Sequence, residues 1–394
     1  MGSYALIINA GSSSVKFCIY ERLDHKVWRV GSRGQIAGIG SSPTFSAKDA
    51  NGAILAERAL DHEVHDGSTA IDALAGWLRN HYRGTQILGV GHRVVHGGAS
   101  YARPTVVNQQ VLVELKEIIP LAPLHQPYNL AAIEAIFQRL PNVPQVACFD
   151  TGFHQGHTEV AKLLPLPRDL RNSGLRRYGF HGLSYEYVAS VLPAKAPEIA
   201  KGRVIVAHLG GGASLCALKD GESIDNTLGF TALDGLCMGT RPGSLDPGAV
   251  LYLFQSLGLS PKAVEAILYK KSGLLGISGI SNDMRDILAS ADPSARLAVD
   301  YFVYRLAKEI GASVAVLGGV DGLVFTAGIG ENSPEIRRRT CDASAWLGIE
   351  LDPEANCRND LRISTPQSKV SVWVIPTNEE LMIARHTASL LGLN

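Results

Sequence analysis

Apolar residues recur along the chain with two periods. Short runs rich in β-branched residues predict strands at 4–9, 15–20, 87–96, 145–149, 203–208, 214–218, 323–327 and 370–375. Spacings of three and four predict helices through Leu130, Ile133, Phe137 and Leu140, through Tyr185, Val188, Ala189 and Leu192, and from Val299 through Leu306 to Leu317. Near the end, Thr377 and Glu380 have capping-box spacing, and Leu381, Ala384, Ala388 and Leu391 follow as one stripe. A helix is therefore predicted over 378–391, with Glu380 occupied by the cap. Strands alternating with longer helices predict an α/β fold.

Residues 6–20 and 204–218 repeat one device, a strand, a turn of small residues and a returning strand, about 200 residues apart. Repetition at half the chain length predicts two domains of related topology, with a boundary after Asp150 and before the irregular segment 151–180. No low-complexity linker separates the halves, so a substantial cleft between them is expected.

Composition narrows the classes of function. The 394 residues carry 37 basic and 37 acidic side chains, so no global field gathers polyanions, and neither nucleic acid nor an anionic membrane is expected as a partner. No apolar run approaches the ~18 to 20 residues that span a bilayer, and Leu6-Ile7-Ile8 is cut short by Asn9 and a Gly-Ser turn. The expectation is a protein without signal peptide or anchor. Six cysteines lie scattered, mostly in apolar runs and without a C-x-x-C pair, which predicts reduced thiols in a cytoplasm.

Turns of glycine and serine let backbone N–H groups approach phosphate oxygens. Gly11-Ser12-Ser13-Ser14, with Lys16 just beyond, suits either a tight hairpin with a surface lysine or a phosphate cradle. Its repetition at Gly210-Gly211-Gly212 favours the cradle. A third turn, from Gly328 to Asn332, follows an apolar strand and precedes a helix with Ser333 placed for the N-cap and Pro334 for the first turn. That context suits a nucleotide at a helix N-terminus or an ordinary strand-to-helix turn. The Rossmann spacing and the Walker ending are both absent. Arg93 and Arg241 each sit between glycines, where a guanidinium meets a carboxylate or phosphate in fork geometry or serves an ordinary salt bridge. Asp150 directly follows an apolar strand, and His125 and His181 lie in loops before helices.

Together these segments resemble the acetokinase family of the sugar-kinase, heat-shock ATPase and actin superfamily. The resemblance runs from Ile8–Lys16 through Gly91–Gly98, Phe149–Thr151, Arg177–Gly182, Met238–Arg241, Asp283–Arg285, Ala327–Ser333 and Ile375–Glu380. It implies two duplicated ribonuclease-H-like, actin-like ATPase domains around a nucleotide cleft, 1–150 plus 378–394 and 151–377, in a cytoplasmic homodimer. It also implies transfer of the ATP γ-phosphoryl group to acetate, giving acetyl phosphate and ADP. In that reading Asn9 and Glu379 resemble Mg²⁺ (or Mn²⁺) ligands, and Ser12 and Lys16 phosphate contacts. Arg93 would bind the substrate carboxylate, with Val95, Leu124, Phe180 and Ala232 around the acyl chain. Asp150 would be the catalytic carboxylate, and His125, His181 and Arg241 would hold the phosphoryl group. His208, Leu209, Gly210, Gly211 and Gly212, then Asp283, Met284 and Arg285, and finally Gly328, Ile329, Gly330, Glu331 and Asn332 would bind ATP.

Three positions depart from the family pattern. Gly211 stands where Asn is usual, Ser244 where Asp is common, and Ala232 where Pro is usual. The last opens the question of propionate or butyrate as substrate. Two other classes remain: a regulatory ATP-binding relative, disfavoured because Arg93, Asp150, His181 and Arg241 are all present, and a metal-dependent hydrolase built from Asp150, His154, His157, His92 and His96. The spacing of those five is poor, since His92 and His96 sit on a β-patterned segment and a glycine separates His154 from His157.

Overall fold

A computed structural model of the chain describes residues 2–24 and 27–393. Its strands are β1 Ser3–Ala10, β2 Ser14–Asp24, β3 Val27–Ala37, β4 Thr44–Asp49, β5 Ile54–Ala59, β6 Gln86–Val94, β7 Thr105–Val106, β8 Gln145–Phe149, β9 Arg203–Leu209, β10 Ala213–Lys219, β11 Glu222–Asn226, β12 Gly322–Thr326 and β13 Ser371–Val374. The first eight form one sheet in the order β5-β4-β3-β2-β1-β6-β8-β7, and the rest a second in the order β11-β10-β9-β12-β13. One pattern occupies both. A first strand pairs antiparallel with its hairpin partner (β1 with β2, β9 with β10) and parallel with a later strand (β1 with β6, β9 with β12). That later strand is parallel to the next (β6 with β8, β12 with β13). The repeat read from 6–20 and 204–218 is a repeat of topology, and the fold is α/β with a sheet in each of two units.

The chain divides into two compact units, Met1–Phe153 with Asn378–Asn394, and His154–Thr377. In the first, helices Gly67–His81 and Gln126–Arg139 cover one face of the sheet, where Phe17, Phe45, Trp77, Ile71 and Ile136 belong to one buried cluster. The helix Glu379–Leu390 packs where β6 carries glycine. A Cβ on Gly91 would lie 2.6 Å from Ile383 Cγ2 and against Thr387, so the missing side chain permits the approach.

Strands β3, β4, β5, β7 and β11 were not expected from the sequence. β3 reads Val-Trp-Arg-Val-Gly-Ser-Arg-Gly-Gln-Ile-Ala, with two glycines breaking its alternation. Gly34 pairs with Phe17, whose ring occupies the space a side chain at 34 would take. The final helix also begins differently. Asn378, not Thr377, is the N-cap, its side chain accepting from Leu381 N at 3.0 Å, so Glu380 lies in the first turn outside any capping box. Thr377 is engaged elsewhere: its hydroxyl accepts from Ser184 Oγ (2.8 Å) and its N–H donates to Glu331 Oε1 (3.1 Å). Ser333 does cap the helix Pro334–Ala343, with Pro334 in its first turn, but Ala327–Asn332 is itself a short helix, not an open turn.

Because β1, β6 and β8 run parallel, Asn9, Arg93 and Asp150 all fall at the same end of the first sheet. The carboxyl ends of β9 and β12 likewise bring His208 and Ala327 to one end of the second. Loops beyond such ends are the usual place for ligands in α/β sheets.

Candidate active site

In the first unit the site is organised by Arg93. Its Nε and Nη2 donate to the two oxygens of Asp150 at 3.0 and 2.6 Å, a bidentate pair in which Asp150 is almost fully buried. Nη1 reaches Asn9 Oδ1 at 3.4 Å, and Glu379 Oε2 lies 3.7 Å from Nε. Burial works against the guanidinium's charge, but Asp150 and then Glu379 outweigh it, and the pKa of Arg93 is raised. Lys16 stands opposite Asn9 in the β1/β2 register, so the two share a face of the sheet, and Ser12 is exposed in the turn closed by Gly11 N and Ser14 O.

Two buried amides that sequence reasoning missed stitch this region together. Asn129 Nδ2 donates to Ala10 O at 2.6 Å while its Oδ1 accepts from Val95 N at 2.9 Å. Gln126 pairs both ways with the backbone of His96. They place the start of helix Gln126–Arg139, with half-buried His125 at its N-cap and Leu124 before it, against the ends of β1 and β6. The available signal was two polar residues on the face that the stripe Leu130, Ile133 and Phe137 marks for burial.

In the second unit, Arg241 and His181 converge on Gly212. A Cβ built there would lie 2.9 Å from Arg241 Nη2 and 3.2 Å from His181 Nε2, so both groups face a loop with no side chain of its own. Arg241 Nη1 donates to Ala232 O at 2.7 Å; burial lowers its pKa, with Tyr269 opposing. His181 Nδ1 lies 2.8 Å from Ser214 Oγ, and its ring stacks on His208 with centroids 4.2 Å apart. At φ +59°, His181 is in the left-handed region, where strain tends to mark functional positions.

The nucleotide-type loops enclose a cavity of about 700 Å³. Gly210 and Gly211 form one side, Asn282, Asp283, Met284, Arg285 and Leu288 another, and Gly328, Ile329 and Asn332 to Glu335 the third. Small backbone, apolar Met284, Leu288 and Ile329, and the capped start of helix Pro334–Ala343 give it the lining a nucleotide needs. Asp283 caps helix Met284–Ala289 and pairs with Arg285 at 2.6 Å, which lowers its pKa to about 2.

Five residues of the second unit expected to bind ATP stand outside the cavity walls, as do Ser12 and Lys16 of the first. His208 is turned toward Ser184 Oγ (2.8 Å) and His181, Leu209 is core, and Gly212 lies beneath Arg241. Gly330 is buried against Phe325. Glu331 spends its carboxylate on the N–H groups of Ala327 (2.8 Å) and Thr377, fixing the turn where Ala327 has φ +64°. Asn282, Leu288, Ser333, Pro334 and Glu335 join the walls without having been expected there.

The hydrolase set separates into other hydrogen bonds. His92 Nε2 meets Gln145 Oε1 at 2.7 Å, whereas His154 and His157 share Ser223 Oγ. Among the described residues no group of three or more His, Cys, Asp or Glu side chains is arranged to hold a metal ion.

A model of the acetokinase family matches residues 4–385. The chain belongs to the acetokinase family. It is 54% identical over 387 residues to the acetate kinase of Nitrobacter hamburgensis, covering 98% of this chain and 96% of that one. Among solved structures it is similar to the acetate kinase of Porphyromonas gingivalis (38% identity, TM-score 0.88, 99% and 100% of the two chains). It is also similar to a propionate kinase from Francisella tularensis (37% identity, TM-score 0.91, 98% and 99%). Against the family pattern, Ser244 Oγ donates to Asp234 Oδ1 at 2.8 Å, and Asp234 in turn pairs with Arg177, so the change at 244 bears on that pair. Gly211 faces open space, with nothing within 4 Å of a Cβ built on it.

Proposed function

We propose that this chain transfers the ATP γ-phosphoryl group reversibly to acetate, giving acetyl phosphate and ADP. The observation that carries the reading is Arg241. It is a half-buried cation whose hydrogen bond, among the described residues, goes to the neutral carbonyl of Ala232, and it is aimed with His181 Nε2 at the glycine loop whose other residues line the nucleotide-sized cavity. Names of relatives at 54% and 38% identity support the same chemistry.

The carboxylate of acetate is already ionised at neutral pH, so no base is required. One of its oxygens bonds to the γ-phosphorus as the bond from that phosphorus to the β–γ bridging oxygen breaks, and ADP leaves. Catalysis then consists of positioning and charge neutralisation. Arg241 and His181 neutralise the transferring group, with His125 assisting. Arg93 receives the acetate carboxylate, and Asp150, through its bidentate pair, holds Arg93 in place. Ser12, Lys16 and the cavity loops hold ATP.

Asn9 and Glu379 each bring an oxygen, one amide and one carboxylate, to the Arg93 guanidinium, and such hard-oxygen donors suit Mg²⁺, which usually takes few protein ligands together with phosphates and waters. When bound there, the ion neutralises charge on the phosphates.

Assembly as a homodimer belongs to the same reading. Helix Pro247–Gln255 is strongly apolar yet buries none of its residues, leaving Leu251 53% and Tyr252 57% exposed. Helix Pro293–Leu317 exposes Leu297, Tyr301 and Tyr304 along one stripe, and a second copy would cover such faces. No helix among the described residues is long and apolar enough to cross a membrane. Burial raises the thiols of Cys18, Cys237 and Cys341 to about 12, so little of each is thiolate at neutral pH.

The test is acyl-hydroxamate formation with ATP and Mg²⁺ over acetate, propionate and butyrate. Acetate is expected to have the highest kcat/KM; a preference for propionate or butyrate would reassign the substrate within the family, and no product from any of the three would sink the reading.

A further inference from the structure

His154 and His157 have no part in the phosphotransfer described above, yet both are buried against one hydroxyl. His154 Nδ1 lies 2.8 Å and His157 Nε2 2.7 Å from Ser223 Oγ, and Cys216 Sγ lies 3.2 Å from the same oxygen. The other ring nitrogen of His154 lies 2.9 Å from Phe180 O, the carbonyl immediately before His181.

With both rings neutral, these contacts fix the order of protons at His154 and Ser223. A carbonyl oxygen only accepts, so His154 Nε2 carries hydrogen. Burial keeps both rings neutral, lowering His154 to about 4 and His157, with His154 contributing, to about 3. A neutral ring protonated at Nε2 has a bare Nδ1, which must accept the hydrogen of Ser223. With that hydrogen committed, Ser223 Oγ accepts from His157 Nε2–H and from the Cys216 thiol. Donation therefore runs from His157 and Cys216 through Ser223 and His154 to Phe180 O.

The receiving segment is one that needs holding. Gly179 has φ +75° and sits directly on the His154 ring, where a Cβ would lie 2.8 Å from ring carbons. Asn226 Oδ1 accepts from Phe180 N at 3.4 Å, so the amide and the carbonyl of Phe180 are each engaged by a buried side chain. His181 follows in left-handed backbone without being glycine, at the N-cap of helix Gly182–Lys195. Its ring direction depends on the peptide before it.

We propose that His154 is a positioning residue: the hydrogen bond from its Nε2–H to Phe180 O, with its tautomer fixed by Ser223, holds the 179–181 backbone so that His181 Nε2 points at the Gly212 loop. The consequence for activity rests on the kinase reading; the proton order does not.

Two measurements test it. In ¹⁵N-histidine-labelled protein, with His154→Gln assigning the signals, His154 and His157 are expected as neutral Nε2–H tautomers from about pH 5.5 to 8. An Nδ1–H tautomer or a cationic ring at 154 in that range overturns the proposal. In kinetics, His154→Leu should lower kcat about tenfold or more with KM for ATP within about twofold, whereas His154→Gln, which keeps an N–H for Phe180 O, should restore at least about a third of kcat. Near-normal kcat in His154→Leu, or a Gln variant no better than Leu, overturns it. Should His154→Leu not fold, Ser223→Ala replaces it, with an expected loss of about threefold or more in kcat and a shifted His154 ¹⁵N signal; no change in either quantity overturns the proposal. A wild-type enzyme inert toward all three acids would count against the kinase reading alone, since the tautomer measurement uses no substrate.

Discussion

Arg93 and Arg241 are both guanidiniums in glycine-flanked segments, but their counter-charges differ. Arg93 is matched by Asp150 and Glu379, whereas Arg241 has the carbonyl of Ala232. Removing Arg241 therefore takes away charge for an anionic ligand, and removing Asp150 releases Arg93 from its fork. Arg241→Ala and Asp150→Ala are each expected to lower kcat by at least ~10²-fold in the hydroxamate assay. Only Asp150→Ala should also lower Tm, because it strands a largely buried cation. Near-normal turnover in either variant removes that residue from the mechanism. The glycine loop gives a second contrast. Gly212→Ala pushes against Arg241 and His181 and should depress kcat, while Gly211→Asn enters open space and should improve KM for ATP by about two- to tenfold if its amide meets a phosphate, the range of a typical net hydrogen bond. An unchanged KM would mean that position 211 does not reach the nucleotide. Arg93, Asp150, His181 and Arg241 were legible because each lies in a short motif. Asn129, Gln126 and Ser214 were not, since a polar residue on a strand or helix carries no mark of the distant atom it will meet.

At the scale of elements, the final helix shows how a one-residue shift of cap alters a functional argument. Capping-box spacing assigned Glu380 to Thr377 and left Glu379 for metal, but Asn378 is the cap and Glu380 is not part of it. The case for Glu379 now rests on its 3.7 Å approach to Arg93. Glu379→Ala should raise the Mg²⁺ concentration for half-maximal activity well above that of wild type, and Glu380→Ala should not. Asn378→Ala should instead lower stability by about 1 kcal/mol, as loss of an N-cap does, which calorimetry can read. Equal Mg²⁺ dependence in the two glutamate variants would remove the distinction between them. Elements buried on both faces, such as β8, β9 and β12, were readable as apolar runs, whereas β3 and β5 were not: glycines in β3 and exposed positions in β5 blur their alternation. β4 does alternate, but it buries only Phe45 and Ala47, and pairing with neighbours supplies what so short a pattern lacks.

For the whole molecule, three buried neutral histidines make stability sensitive to acid. Burial lowers His92 and His154 to about 4 and His157 to about 3, against an unfolded value near 6.5. Between those values the unfolded chain binds more protons, so the folded state is fully favoured above about pH 6.5 and loses stability as pH falls toward 4. Tm is expected to be level from pH 7 to 8 and to fall below ~6.5, less steeply in His92→Gln; a Tm independent of pH across that window would contradict the neutral burial of these rings. Substrate range can be tested through Ala232. Ala232 lacks the ring atoms of the family's usual proline, and each extra buried CH₂ contributes about 0.8 kcal/mol, so propionate should be used at an appreciable fraction of the acetate kcat/KM, and Ala232→Pro should reduce that fraction. An unchanged propionate-to-acetate ratio would show that position 232 does not set chain length. The sequence by itself determined the α/β class, the repeated hairpin device and most of the charged motifs, because periodicity and turn chemistry are local properties. Only the tertiary structure decided that His208 faces Ser184 and not the cavity, that Glu331 is bound to backbone, and that His154 reaches Phe180 O. Each of those depends on which buried partner is near enough to satisfy a polar atom, and residues far apart in sequence settle that only when the chain is folded.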